Sequence, residues 1–224
     1  MKTRYPHILM LALLSSFLLG SCKTFNLADI PNEPSQSEKL PPLVPEFDKH
    51  SFGPLYADVY EIPARVLTGT ANVNTIVNGL AQSYTISEDT KRIYQRFLLK
   101  NICERVGESK GFAVCRMGIR SKGIKQPIFP IISVLTFGIP NLFGMKYATF
   151  RDELEVIVDV YNHDDKVIAS YSGMGEGEAD ARLYKGYTKR DAKRTAHALA
   201  FTNAMEEIQD QMIVDRSKII EILN

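Results

Sequence analysis

The sequence predicts an α+β domain with helices packed on one face of a mostly antiparallel sheet, a small two-layer α/β sandwich. Three patterns carry that expectation. Leu154, Val156, Val158 and Val160 alternate with other residues at strand period; Ile93, Phe97, Ile102 and Val106 recur at helical spacing; and an alanine-rich stretch spans residues 192–212. Their order, helix, strand, hairpin, helix, suits a sheet covered on one side.

Residues 1–21 have the three parts of an export signal: Lys2 and Arg4 at the start, an apolar run over 8–19, and the small residues Gly20 and Ser21 before Cys22. The run is shorter than the ~20 residues needed to cross a ~30 Å hydrocarbon core, so cleavage is expected rather than a permanent span. Leu19-Gly20-Ser21-Cys22 resembles the bacterial lipobox. That resemblance implies cleavage before Cys22 and membrane anchoring through acyl chains on it, each buried methylene contributing about 0.8 kcal/mol. In the enterobacterial sorting pattern, Lys23 in place of Asp implies the outer membrane. Lys23-Thr24-Phe25 does not lead into an acidic tract of the kind that resembles a surface-export signal, which implies a periplasm-facing position.

Beyond Cys22, residues 22–52 contain Pro31, Pro34, Pro41, Pro42 and Pro45, which disfavour regular helix and sheet. They predict a Pro-rich tether that extends by about 3.1 Å per residue, and residues 53–224 predict a single domain. Without Lys2 and Arg4 the 27 basic residues fall to 25 against 26 acidic ones. This near-neutral balance excludes the basic footprint of nucleic-acid binding, and the basic residues over 185–194 read as solvated helix surface.

Along the domain, residues 55–67 predict a strand and 68–87, with Gly69, Asn72, Asn74, Asn78 and Gly79, a loop. Ser87 is placed as the cap of a helix over 87–106, followed by a strand over 112–119 and a loop rich in Lys and Gly. The strand around Leu154–Tyr161 returns through the turn residues Asn162-His163-Asp164-Asp165 as a second strand over 167–172. Thr188 and Asp191 form a capping pair that opens a helix over 188–213, and its alanines permit close approach to a sheet. A last helical segment covers 216–223. Cys103 and Cys115 form either a disulfide, worth ~3 kcal/mol in the chain-entropy picture, or two buried free thiols.

Several patterns point away from catalysis and cofactors. Gly173-Met174-Gly175-Glu176-Gly177 lacks the dinucleotide spacing and carries repelling acids, so it reads as a mobile or bulged loop. Glu176, Glu178, Asp180, Asp164 and Asp165 do not follow the calcium-loop spacing. His50, His163 and His197 share no ligand spacing, and neither a zinc helix nor a nucleophile elbow is present. No catalytic residue, metal or cofactor is expected. The apolar 127–145 segment, interrupted by Pro130 and Pro140, contains Phe129, Ile132, Leu135, Phe137, Leu142 and Phe143. It either caps the core or forms a contact for lipid or a partner protein.

Residues 154–161, the Ala169-Ser170-Tyr171-Ser172-Gly173 strand end and the alanine-rich helix resemble envelope lipoproteins of the curli-secretion-pore and TolB-amino-terminal kind. The resemblance implies a small α/β sandwich acting as an assembly, secretion or transport accessory, although the paired membrane strands of a secretion pore are missing. The expectation is therefore a non-enzymatic, lipid-anchored accessory that binds an envelope partner and could form a homo-oligomer. The second reading is a module binding a lipid or small apolar ligand through 127–145.

Overall fold

A computed structural model describes residues 23–31, 39–52, 73–125, 144–182 and 186–223. Four strands form one mixed sheet in the order β1-β2-β3-β4: β1 (Val44–Phe47), β2 (Phe112–Lys125), β3 (Lys146–Tyr161) and β4 (Val167–Arg182). β1 runs parallel to β2, and the two remaining pairings are antiparallel. Two short 3-10 turns, Leu27–Asp29 and Lys49–Phe52, and three α-helices complete the described fold: α1 (Val73–Phe97), which continues as a π-turn over Leu98–Ile102, α2 (Lys189–Val214) and α3 (Arg216–Leu223). The class is α+β, as the sequence predicts.

The predicted hairpin is present and longer than expected. Leu154, Val156, Val158 and Val160 are fully buried on the helix side of β3, and the turn closes because Asn162 Oδ1 accepts from the amides of Asp164 and Lys166, each at 3.0 Å. β4 does not stop at residue 172. The glycine-rich segment predicted to be a loop is its centre, with Tyr171, Gly173, Gly175, Gly177, Ala179 and Ala181 facing inward in strict alternation with outward residues. Glycines that looked like loop punctuation are spacing residues. A Cβ at Gly175 would stand 1.8 Å from the Ala200 carbonyl oxygen of α2, and one at Gly177 2.0 Å from that of Ala196.

This close approach also closes the free edge of β4. Three polar side chains one turn apart on α2 reach its backbone: Glu207 accepts from the Met174 amide, while Asn203 and Gln211 donate to the carbonyls of Glu176 and Ser172, all at 2.7 Å. An edge strand otherwise presents unpaired groups that template association.

Other boundaries shift for physical reasons. β2 runs through the Lys- and Gly-rich stretch predicted as a loop, because pairing with β3 continues past a bulge between Ile119 and Ser121. The helix expected to begin at Ser87 begins at Val73 instead. Ser87 lies inside α1, where it donates to the Tyr84 carbonyl. Asn and Gly each disfavour helix by at most about 1 kcal/mol, which tertiary context overrides. The predicted strand over 55–67 lies outside the described residues. Thr188 caps α2 as expected, accepting from the Asp191 amide at 3.2 Å.

The largest correction concerns the tether. In its described residues, the segment predicted to be an extended spacer is packed onto the domain. Ile30, Leu40 and Leu43 belong to the main core, with Phe25 and Leu27 packed against it. Residues 44–47 are β1 itself. Pro45 fits there because the amides of Val44 and Asp48 donate toward β2, to Gly111 and Cys115, so the alternate position that lacks an N–H faces away from the ladder on an edge strand. The prolines exclude internal ladder positions; they do not exclude an edge.

Candidate functional site

Two surfaces carry the functional candidates: the end of the sheet beside Lys23, and the sheet face opposite the helices. Cys22 lies outside the described residues, but its neighbour is held by the fold. The Lys23 amide donates to the Gly186 carbonyl at 3.0 Å, Lys23 bridges Tyr187, and its ammonium stands 4.8 Å from the Tyr187 ring centroid. Tyr187 hydrogen-bonding and charge raise the Lys23 pKa above its ordinary value. Tyr187 also bridges Ala181 and accepts from the Arg182 amide at 2.9 Å, which fastens the segment to the end of β4.

Arg194 secures the next residues. It binds both carboxylate oxygens of Asp89, at 2.8 and 3.2 Å, joining α1 to α2, while its guanidinium lies 4.3 Å from the Phe25 ring centroid. Both partners of this ion pair are largely buried. Arg96 on α1 donates to the Leu27 carbonyl at 2.7 Å. The chain after Lys23 is therefore a strap across both long helices. Apolar residues at Phe25, Leu27, Ile30, Leu40 and Leu43 were the sequence signal for this packing, masked by their proline neighbours.

No described helix covers the opposite face of the sheet, which is laced with ion pairs. Arg116 meets Asp159 at 2.5 Å, Arg120 meets Glu155 at 3.2 Å, Lys146 meets Asp180 at 3.3 Å, and Arg151 meets Glu176. Asp159 is the most enclosed of these acids, 4 % exposed, and also accepts from the Ser170 hydroxyl at 2.7 Å. Asp180 is pushed upward by burial, but hydrogen bonds from Thr149 and Lys146 outweigh that and hold its carboxyl below the usual range. A face of this kind can recognise a polar, charge-patterned surface.

The acids considered for calcium do not converge. Glu176, Glu178 and Asp180 line β4, whereas Asp164 and Asp165 occupy the turn at the opposite end of the sheet. Among the described residues no three His, Cys, Asp or Glu side chains gather as a metal site. His163 Nε2 lies 2.6 Å from the Ser109 carbonyl oxygen. His197, 1 % exposed, places Nδ1 3.0 Å from Asp152, and its Nε2 has no hydrogen-bond partner among the described residues. The sequence did not single out this buried pair, since Asp152 and His197 are brought together only by the packing of α2 on β3.

Cys103 and Cys115 are separate, buried free thiols in the main core. Burial pushes the Cys103 thiol up to about 12 and raises Cys115 well above its ordinary value. Tyr94 sits near both and donates a 2.6 Å hydrogen bond to the Ala113 carbonyl. The candidate contact residues Phe129, Ile132, Leu135, Phe137, Leu142 and Phe143 lie outside the described residues, although the flanking strand ends do not.

No family model and no curated protein matches this chain. One solved structure to which it is similar is described as a "putative lipoprotein" from Caulobacter crescentus CB15, with 9 % identity, a TM-score of 0.28, and coverage of 63 % of this chain and 83 % of that one. A similarity of that size carries no argument about fold or function.

Proposed function

We propose that the chain is an outer-membrane lipoprotein, anchored by acyl chains on Cys22 and facing the periplasm, whose domain is a non-enzymatic accessory that binds a protein partner of the envelope. The observation that carries this reading is Leu19-Gly20-Ser21-Cys22 following a short apolar export signal. Two further features support it. Among the described residues no helix is long and apolar enough to cross a membrane, so attachment by lipid suits them. The ion-paired sheet face, with Met174 43 % exposed within it, is free of any described covering element and offers a partner a polar surface.

The test is the intact mass of protein purified from membranes, with a Cys22→Ala variant fractionated in parallel. Cleavage before Cys22 plus the mass of acyl chains, and a variant that fails to mature, is the expected result. An unmodified chain recovered in the soluble fraction would sink the proposal. Photo-crosslinkers at Met174 and Glu155 then test the partner face, with adducts expected there and none from a crosslinker in the hairpin turn at Asp164.

A further inference from the structure

Resting on the reading of Cys22 as the lipid-bearing residue, we infer that the domain does not hang from a tether but lies with one end against an anionic phospholipid surface. That end is where β2 finishes, β3 begins, β4 finishes and α2 begins. Lys23 fixes the orientation. Its amide is bonded to Gly186 and its backbone bridges Tyr187, so a lipid on the preceding residue emerges at this end and nowhere else on the fold. A free spacer would leave the body to rotate; the strap over 23–31, stacked on Arg194 and bonded to Arg96, does not.

Charge complements that placement. Lys125, Lys146, Arg182, Lys189 and Arg190 share this end with Lys23, all exposed, and Asp180 among them is paired with both Lys146 and Arg182. Most of the charges on α2 oppose its own dipole. Lys189, Arg190 and Lys193 outnumber Asp191 in its first turns, its last turn holds no basic residue, and Glu206, Glu207 and Asp210 lie in its final third. Helix electrostatics favours the reverse arrangement, so helix stability does not account for it. A negative surface beyond the start of the helix does, because basic residues close to anionic headgroups are attracted within a Debye length. The opposite end is mixed in charge, with Asp164 and Asp165 in its turn beside Lys166, and Lys110 and Lys218 close by.

The experiment uses residues 23–224, which contain the whole described fold and lack the lipid, floated with phosphatidylcholine vesicles with or without phosphatidylglycerol. Partition should rise on the order of 10-fold or more with phosphatidylglycerol and fall as salt screens it. Combined Lys23→Gln, Arg182→Gln and Lys189→Gln changes should remove that gain, whereas Lys110→Gln, Lys166→Gln and Lys218→Gln at the far end should leave it intact. No preference for the anionic vesicle, or equal loss in both variants, would overturn the inference. Intact mass separates the two proposals. An acylated native chain whose domain ignores phosphatidylglycerol is anchored without lying down, and an unacylated chain whose basic end still prefers it loses the anchor but keeps the docking surface.

Discussion

The two sides of β4 obey different rules. Toward α2, Gly173, Gly175 and Gly177 face the backbone carbonyls of Ala204, Ala200 and Ala196 with no space for a methyl group. One residue along in each case, Met174, Glu176 and Glu178 point outward from the same strand and are exposed. The inner side is governed by steric distance, where even one carbon matters. The outer side is governed by screened charge, where whole side chains can be exchanged.

The inner side should break first. Gly175→Val would place branched carbon where α2 backbone already sits, and its cost should exceed the ~1–3 kcal/mol of ordinary overpacking, read as a fall in the urea midpoint. A loss under 1 kcal/mol would mean that α2 and β4 are further apart than described.

Arg194→Met should cost about 2–3 kcal/mol, because it strands the largely buried Asp89 carboxylate and removes the stack on Phe25. Adding Asp89→Asn should restore part of the loss. If the second change restores nothing, the effect of the first lies in packing and not in stranded charge.

The core thiols sharpen the contrast between buried and screened groups. With Cys22→Ala in place, a thiol reagent should find no reactive group in the native domain and two after denaturation; none after denaturation would mean a bridge. Because the Cys103 pKa is raised from 9.0 to about 12, the folded state keeps a proton that the unfolded chain releases. That contribution is intact below pH 9 and lost as pH rises toward 12, so between those values stability should fall less steeply in Cys103→Ala than in the native protein.

The edge of β4 lies between the two regimes. Replacing Asn203, Glu207 and Gln211 together with alanine should cost about 1 kcal/mol per hydrogen bond and expose the strand edge, detectable as concentration-dependent self-association by size-exclusion chromatography. A variant that stays at the same elution volume at every concentration would show that the edge is closed by something else.

The outer face should give the smallest effects. Glu176→Gln breaks the pair with Arg151, both partners being more than a third exposed, and should change stability by no more than ~0.5 kcal/mol. Asp180 adds a mild acid dependence. Its depressed pKa means that its contribution is complete above the ordinary aspartate value of 3.8 and lost as pH falls through its lower folded value, a loss that Thr149→Val should diminish.

Much of this architecture was legible from residue order. The β3–β4 hairpin was legible because Leu154, Val156, Val158 and Val160 repeat at strand period, and α2 was legible from Thr188, Asp191 and its alanines. The strap was not. Phe25, Leu27, Ile30, Leu40 and Leu43 lie too far apart to show periodicity, and their partners are on helices distant in sequence. The glycine-rich strand was misread because glycine marks both loops and close approach, and only a partner distinguishes them. Among the residues of the candidate site, the pairing of Lys23 with Tyr187 was hidden because it spans most of the chain.

By itself the sequence determined what depends on neighbours along the chain: the period of β3, the turn at 162–165, and the cap of α2. The tertiary structure alone decided which glycines lie beneath a helix, that residues 23–31 are a strap, that Asp89 meets Arg194 and Asp152 meets His197, and which end of the domain holds Lys23. The division follows from range. Capping, turn formation and periodicity act over a few residues, whereas steric exclusion and burial act between surfaces that meet only after the chain has folded.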